Sequence, residues 1–312
     1  MSAQRPFRFW TDAAPIADAR RLPELARRAE ALGYDAMLVA DHLVDMLAPI
    51  PAMAAIAVST ERLRFAGFVL NNDLRHPALL AHELLTLDHL SRGRLIVGIG
   101  AGWNQAEYRA AGIQFDRHPV RAARLAESIA VIKAIFRGDS VDHDGEHYRV
   151  RGFADWSLPV QRPHPPFLVG AGGRQVLELA AREAQVVGLA PRLDDPESML
   201  APATDEKLAW IRAAAGERFD ALEINTYTSL RGGMEITNRP LQLAREISRR
   251  IRERWAVDID PKALLESPHV LLGSVDEIVE RCQALRERWG ISVIAVPGPD
   301  EFAPVVERLA GR

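Results

Sequence analysis

Short apolar runs alternate with longer amphipathic ones along the whole 312-residue chain. Runs such as LIVGIG at 95–100 are apolar at almost every position, the pattern of strands buried on both faces. Such runs predict strands at 7–11, 36–40, 63–70, 95–100, 167–170, 186–190, 222–228 and 292–296. Apolar positions three and four apart predict helices at 22–32, 77–90, 120–136, 174–182, 205–214, 241–255 and 275–289. Ser274 with Glu277 has the form of a capping box, Gly290 stops the same helix, and Pro77 suits a first turn.

Eight buried strands with helices between them predict an α/β fold of parallel strands, and eight is the number that closes a (β/α)8 TIM barrel. An open doubly wound sheet is the competing arrangement. No composition shift divides the chain, so residues 1–312 are read as a single domain. Two segments exceed a minimal barrel and are expected as insertions at its C-terminal face. SVDHDGEHYRV (140–150) has a hairpin pattern around Asp144-Gly145, with a proline-rich return. Residues 191–204 carry Pro191, Pro196 and Pro202, which are expected to block regular structure and leave a mobile active-site loop.

A net charge of −3 without like-charge runs argues against a nucleic-acid surface, and no segment has the ~20 apolar residues of a membrane span. A cytoplasmic location follows as the expectation. Cys282 shares a helical stripe with Ile278, Val279, Leu285 and Trp289, a core position rather than a reactive one.

The stretch GRLIVGIGAGWNQAEY (93–108) resembles a dinucleotide loop but fails its spacing, with G-x-G-x-G on the fourth predicted strand instead of G-x-G-x-x-G on the first. A barrel puts that strand's exit, Gly100, Ala101, Gly102 and Trp103, at its catalytic face. A second cluster, LVGAGGRQV, sets Gly170, Ala171, Gly172, Gly173 and Arg174 at a strand end before a helix, where exposed amides suit a phosphate. Each cluster alone could serve turns. Together they suggest one large ligand with a phosphate at one end.

Polar side chains gather at other strand ends. VADH puts Asp41 beside His42, whose type titrates nearest neutrality and whose tautomer a carboxylate can fix. LNNDLRHP offers Asn71, Asn72 and Asp73 to the edge of a heterocycle. Metal readings fail: HELLT has Thr86 where a zinc motif needs histidine, and His143 and His147 with their acidic neighbours read as a solvated hairpin turn.

With LDHLSRGRLIVGIGAGW, the strand-end DH and LVGAGGR on the page, the chain resembles the bacterial luciferase-like superfamily. The residues Leu87, Asp88, Leu90, Ser91, Gly93, Arg94, Gly98 and Gly100 carry the likeness, and NNDLRHPALLAHELLTLDHLSRGR is similar to the branch of probable coenzyme F-420-dependent oxidoreductases. The resemblance implies a TIM barrel with a flavin or deazaflavin ring over the strand ends, and a non-prolyl cis peptide expected within 70–73. It places the Gly100–Trp103 loop against the ring or its side chain, with glycines kept small for its approach. Gly170–Arg174 would hold phosphate. Trp103 departs from the acid found at that loop in sugar-phosphate dehydrogenases of the family.

Coenzyme F-420, an 8-hydroxy-5-deazaflavin, is the implied cofactor, with FMN the alternative; cofactor identity decides between hydride transfer and oxygen chemistry. The expected reaction is hydride transfer to or from a small organic substrate, with His42 as general acid or base oriented by Asp41. An FMN-dependent two-component monooxygenase and a non-catalytic flavin-binding barrel are the alternatives. A flavin or F-420 reductase and a second copy of the chain are the expected partners.

Overall fold

The computed structural model describes residues 5–13, 18–43, 46–138, 140–192, 194–227 and 233–312. Its strands are β1 (Arg8–Asp12), β2 (Ala36–Val39), β3 (Arg64–Gly67), β4 (Leu70–Asn71), β5 (Leu95–Gly100), β6 (Val141–Asp144), β7 (Arg149–Phe153), β8 (Phe167–Ala171), β9 (Val186–Leu189), β10 (Glu223–Tyr227), β11 (Met234–Ile236), β12 (Leu271–Gly273) and β13 (Ile291–Val296). The helices are α1 (Leu22–Ala31), α2 (Pro49–Ser59), α3 (Pro77–Leu90), α4 (Gln105–Ala111), α5 (His118–Phe136), α6 (Arg174–Glu183), α7 (Ala201–Ala215), α8 (Pro240–Trp255), α9 (Pro261–Leu265), α10 (Val275–Trp289) and α11 (Ala303–Leu309).

The main sheet runs β3-β2-β1-β13-β10-β9-β8-β5-β4, and β3 pairs again with β5. This is the order of a closed eight-stranded barrel, with β4 as a short extra strand beside β5. Pairing is parallel, for example Phe65 opposite Leu95 and Ile99 opposite Val169. All eight predicted barrel strands are present; the last residue of the predicted 222–228 strand lies outside the described residues.

The chain packs as two compact units, Ala13–Arg27 with Ala36–Val169, and Met1–Asp12 with Arg28–Asp35 and Gly170–Arg312. In the first, the motif that carries the family resemblance is scaffolding. Asp88 is fully buried and accepts from the backbone N–H of Val160 (2.7 Å) and Gln161 (3.1 Å) and from Gln161 Nε2 (2.8 Å), pinning the proline-rich return. Arg94 donates to the carbonyls of Ala57 (2.6 Å), Thr60 (3.0 Å) and Leu63 (2.6 Å), closing the C-terminal end of α2, whose last carbonyls lack helical partners. A Cβ on Gly98 would lie 1.9 Å from the carbonyl oxygen of Gly67, so this glycine is demanded by the close approach of β3 and β5 and not by a ligand.

The predicted 63–70 strand is broken into β3 and β4. The non-prolyl cis peptide joins Phe68 and Val69, one step before the 70–73 window expected for it.

The second unit buries its own apolar cluster of Met199, Ile247, Ile251, Ile259, Leu264 and Val270, and pairs β11 with β12 in a small parallel sheet. Its helix α10 has the predicted capping box, Ser274 N–H donating to Glu277 Oε2 at 2.7 Å, and ends at Gly290 with φ of +69°. Within 191–204, of which residue 193 lies outside the described residues, the structure differs from expectation. Pro196 opens a 3-10 turn and Pro202 sits in the first turn of α7, where proline is tolerated because that N–H has no helical partner. Lys207 of α7, buried, ties the segment down by donating from Nζ to the carbonyls of Ala190 (2.8 Å) and Ser198 (2.7 Å). Burial pushes this amine down to about 8.

Candidate active site

The exits of β2, β4 and β5 lie within one unit and share one polar network. Asp41, just after β2, is almost completely buried, and its carboxylate accepts from Arg75 at 2.6 and 3.1 Å and from the backbone N–H of Asn71 at 2.8 Å. Both oxygens are thus spent on the loop after β4, in the bidentate geometry that suits arginine and carboxylate. This corrects the expectation that Asp41 orients His42.

His42 is held from elsewhere. Its Nδ1 lies 2.8 Å from Oε1 of Glu107 on α4, and the Glu107 side chain is only 7% exposed. Asn104 caps α4, its Oδ1 accepting from Ala106 N–H, while its Nδ2 donates to the same Glu107 oxygen. Trp103 packs edge-on to the imidazole at 5.5 Å between centroids and is 54% exposed. The His42 side chain itself stays a quarter exposed.

Below this pair, the Tyr108 hydroxyl is 2.9 Å from Asn71 Oδ1 and 3.1 Å from Asp73 Oδ2, the acceptors for its proton. Burial, reinforced by the charge of Asp73, pushes this phenol up to about 12. Gly102 is required here for two reasons. Its φ is +73°, and a Cβ would lie 2.0 Å from the Tyr108 oxygen and 2.5 Å from Asn71 Oδ1. The protein's own packing, not only a ring's approach, therefore keeps this position small.

Helix α5 fixes the surrounding loops with side chains three residues apart on one face. Arg121 donates to the carbonyls of Ala101 and Gly102 and lies over the Phe115 ring at 4.1 Å. Arg124 pairs with Asp73 at 2.9 Å and with Asp116. Glu127 accepts from His143 Nε2 (2.9 Å) and from the N–H groups of His147 (3.0 Å) and Tyr148 (2.8 Å). Burial would raise the Glu127 carboxyl, but those three donors hold it below the usual range. The β6–β7 hairpin is therefore anchored through Glu127 instead of forming the solvated turn expected for its histidines.

The anchored hairpin carries Tyr148, whose hydroxyl accepts from Asn72 Nδ2 at 3.0 Å and whose ring stands edge-on to His76. Asn72 is completely buried, and its amide supports Tyr148. Its Oδ1 is left without a partner. Asn71 likewise commits Oδ1 to Tyr108 and to Asp73 N–H.

In the other unit, Gly170, Ala171, Gly172 and Gly173 are partly exposed and Arg174 is exposed. Gly173 precedes α6 without any side-chain cap, and a Cβ built on it meets nothing within 4 Å. The first turn of α6 thus has no side-chain cap and no acidic residue. Gly172 instead fits under the carbonyls of Ala190 and Pro191, 2.9 and 3.0 Å from its would-be Cβ. Arg174 pairs with Glu178 at 2.7 Å, which holds its guanidinium along the helix.

Sequence reasoning missed Glu107, Tyr108, Arg75, Arg121, Arg124 and Tyr148. For Glu107 a signal existed: in WNQAEY an asparagine cap puts the acid at the third helical position, directed back toward the cap. The others depend on contacts between segments far apart in the chain.

A histidine–carboxylate pair at the strand exits of a barrel is an enzyme-like arrangement. Residues 4–230 match the family of luciferase-like monooxygenases, and the chain belongs to that family. It is 35% identical over 173 residues to an F420-dependent glucose-6-phosphate dehydrogenase of Mycobacterium avium (strain 104), covering 52% of this chain and 51% of that one. Over 149 residues it is 31% identical to an FMNH(2)-dependent dimethylsulfone monooxygenase of Pseudomonas putida, covering 45% and 41%. The matches span between 41% and 66% of the length of the curated relatives. Among solved structures, the coenzyme F420-dependent tetrahydromethanopterin reductase of Methanopyrus kandleri shares the fold with a TM-score of 0.78 over 98% of both chains, at 20% identity. Among the described residues no helix is long and apolar enough to cross a membrane.

Proposed function

We propose that this protein is an oxidoreductase that uses coenzyme F-420 for hydride transfer to or from a small organic substrate. The observation that carries the reading is His42, partly exposed at the β2 exit with Nδ1 on Glu107 and Trp103 at its edge. The likeness to F420-dependent dehydrogenases supports the choice of cofactor. When bound, the deazaflavin supplies a hydride-accepting and hydride-donating carbon at position 5.

The chain supplies the rest. Gly100, Ala101, Gly102 and Trp103, braced by Arg121, form the wall for the ring, and the α6 N-terminus after Gly170–Gly173 takes the phosphate. His42 takes or gives the substrate proton at Nε2, and Trp103 walls the substrate side and excludes water. A His42→Ala protein that binds cofactor normally should lose roughly 10²- to 10⁴-fold in turnover; full turnover would remove its role.

A second reading, an FMN-dependent monooxygenase served by a separate flavin reductase, is favoured by the Pseudomonas putida relative. A barrel that binds flavin without turnover would keep the cofactor and consume no substrate.

Residues 1–312 act as one catalytic domain, working in the cytoplasm with a reductase that recycles the cofactor. A second copy of the chain is the further partner in this reading, giving a homodimer. Light scattering should give twice the chain mass; a monomer would contradict this.

A further inference from the structure

We propose that Glu107 is the positioning residue of His42: its carboxylate fixes the imidazole as the Nδ1–H tautomer, so that Nε2 is the atom that exchanges a proton with substrate. The inference rests on the proposed role of His42 and adds the residue that sets it. Asp41, the neighbour in sequence, is excluded because both its oxygens are taken by Arg75 and the Asn71 amide.

An ionised carboxylate only accepts hydrogen bonds, so the 2.8 Å contact requires the proton on Nδ1. Which imidazole nitrogen carries the proton is set by the bond the other makes, and here the bond is made by a side chain itself nearly buried. Glu107 is in turn held. Asn104 Nδ2 donates to the same oxygen, and Asn104 is locked as the cap of α4 through Ala106 N–H. Trp103 then restricts rotation of the ring from its edge. The segment WNQAEY thus supplies the tryptophan beside the imidazole, the carboxylate behind it and the amide that steadies the carboxylate.

The consequence is a division of labour. With an alcohol as substrate, Nε2 would accept the hydroxyl proton as the alcohol becomes a carbonyl compound, a bound deazaflavin would supply the hydride acceptor, and Glu107 would face the resulting imidazolium. In the reverse direction the same proton returns from Nε2. Nδ1 keeps its proton throughout.

The test reads the tautomer directly, in protein without cofactor, from two-bond nitrogen–proton correlations of ¹⁵N-histidine-labelled chain. His42 is assigned by the resonance missing in His42→Asn. The wild type should show a protonated Nδ1 and an unprotonated Nε2 when neutral; a protonated Nε2 there overturns the proposal. In Glu107→Gln the amide can either donate or accept, so the Nε2–H form should appear, and turnover should fall roughly 10- to 100-fold. An unchanged tautomer in that variant contradicts the assignment of Glu107. Adding His42→Asn to Glu107→Gln should cost little beyond His42→Asn alone; additive losses would show that the two act separately. Failure of the proposed function, seen as full turnover in His42→Asn, is distinct from either tautomer result.

Discussion

Arg75 grips the Asp41 carboxylate with both terminal nitrogens, at 2.6 and 3.1 Å, and thereby joins the exit of β2 to the loop after β4. The pair ties two segments of the candidate site together. Asp41→Asn should leave the Arg75 guanidinium facing a neutral amide and cost about 2 to 3 kcal/mol, since Arg75 keeps some solvent to screen it. Chemical denaturation measures this directly. A loss of turnover without a loss of stability would return Asp41 to the catalytic role expected for it.

Gly102 faces Tyr108 across a gap too small for a methyl group. Gly102→Ala should destabilise the fold by about 2 kcal/mol or more, through positive φ and the clash together. Adding Tyr108→Phe removes the hydroxyl nearest the new methyl and should recover part of that loss in thermal unfolding. No recovery would mean that the backbone conformation alone sets the penalty.

Glu127 gives a pH dependence with a definite sign. Burial opposes ionisation, but the hydrogen bonds from His143, Tyr148 and His147 leave its folded-state value below the ordinary 4.5. Its contribution is therefore complete above that ordinary value and lost as pH falls through the lowered one. Thermal unfolding between about pH 3 and pH 6 should be steeper in wild type than in Glu127→Gln, and the hairpin's amides should exchange faster in acid. Equal slopes would contradict the anchoring role.

The barrel was legible in the alternation of buried strands and amphipathic helices because most barrel strands, such as β5 and β13, carry an apolar run of their own. The site was legible only at its strand ends. Asp41, His42 and the two glycine clusters are named by position, but what each touches is decided by partners 30 to 65 residues away, such as Asn71 for Asp41 and Glu107 for His42. Adjacency in VADH pointed to Asp41 as the partner of His42, whereas the fold turns that carboxylate to Arg75. The prolines at 196 and 202 misled for a related reason: in a first helical turn they begin structure instead of blocking it.

At Gly173 the proposed phosphate binding can be tested apart from folding. Its φ of −106° is open to any residue, so Gly173→Asp should fold, and its carboxylate can cap α6. The same carboxylate occupies the helix N-terminus and repels a phosphate. Cofactor affinity should drop more than about tenfold with the melting temperature unchanged or raised. Unaltered affinity would place the phosphate elsewhere.

This luciferase-like barrel is proposed to work with a deazaflavin. Titration of the purified protein with oxidised coenzyme F-420 and, separately, with FMN, followed by absorbance and fluorescence, tests it most directly. The account predicts saturable micromolar binding of F-420 and much weaker binding of FMN. Tight binding of FMN with none of F-420 would contradict it.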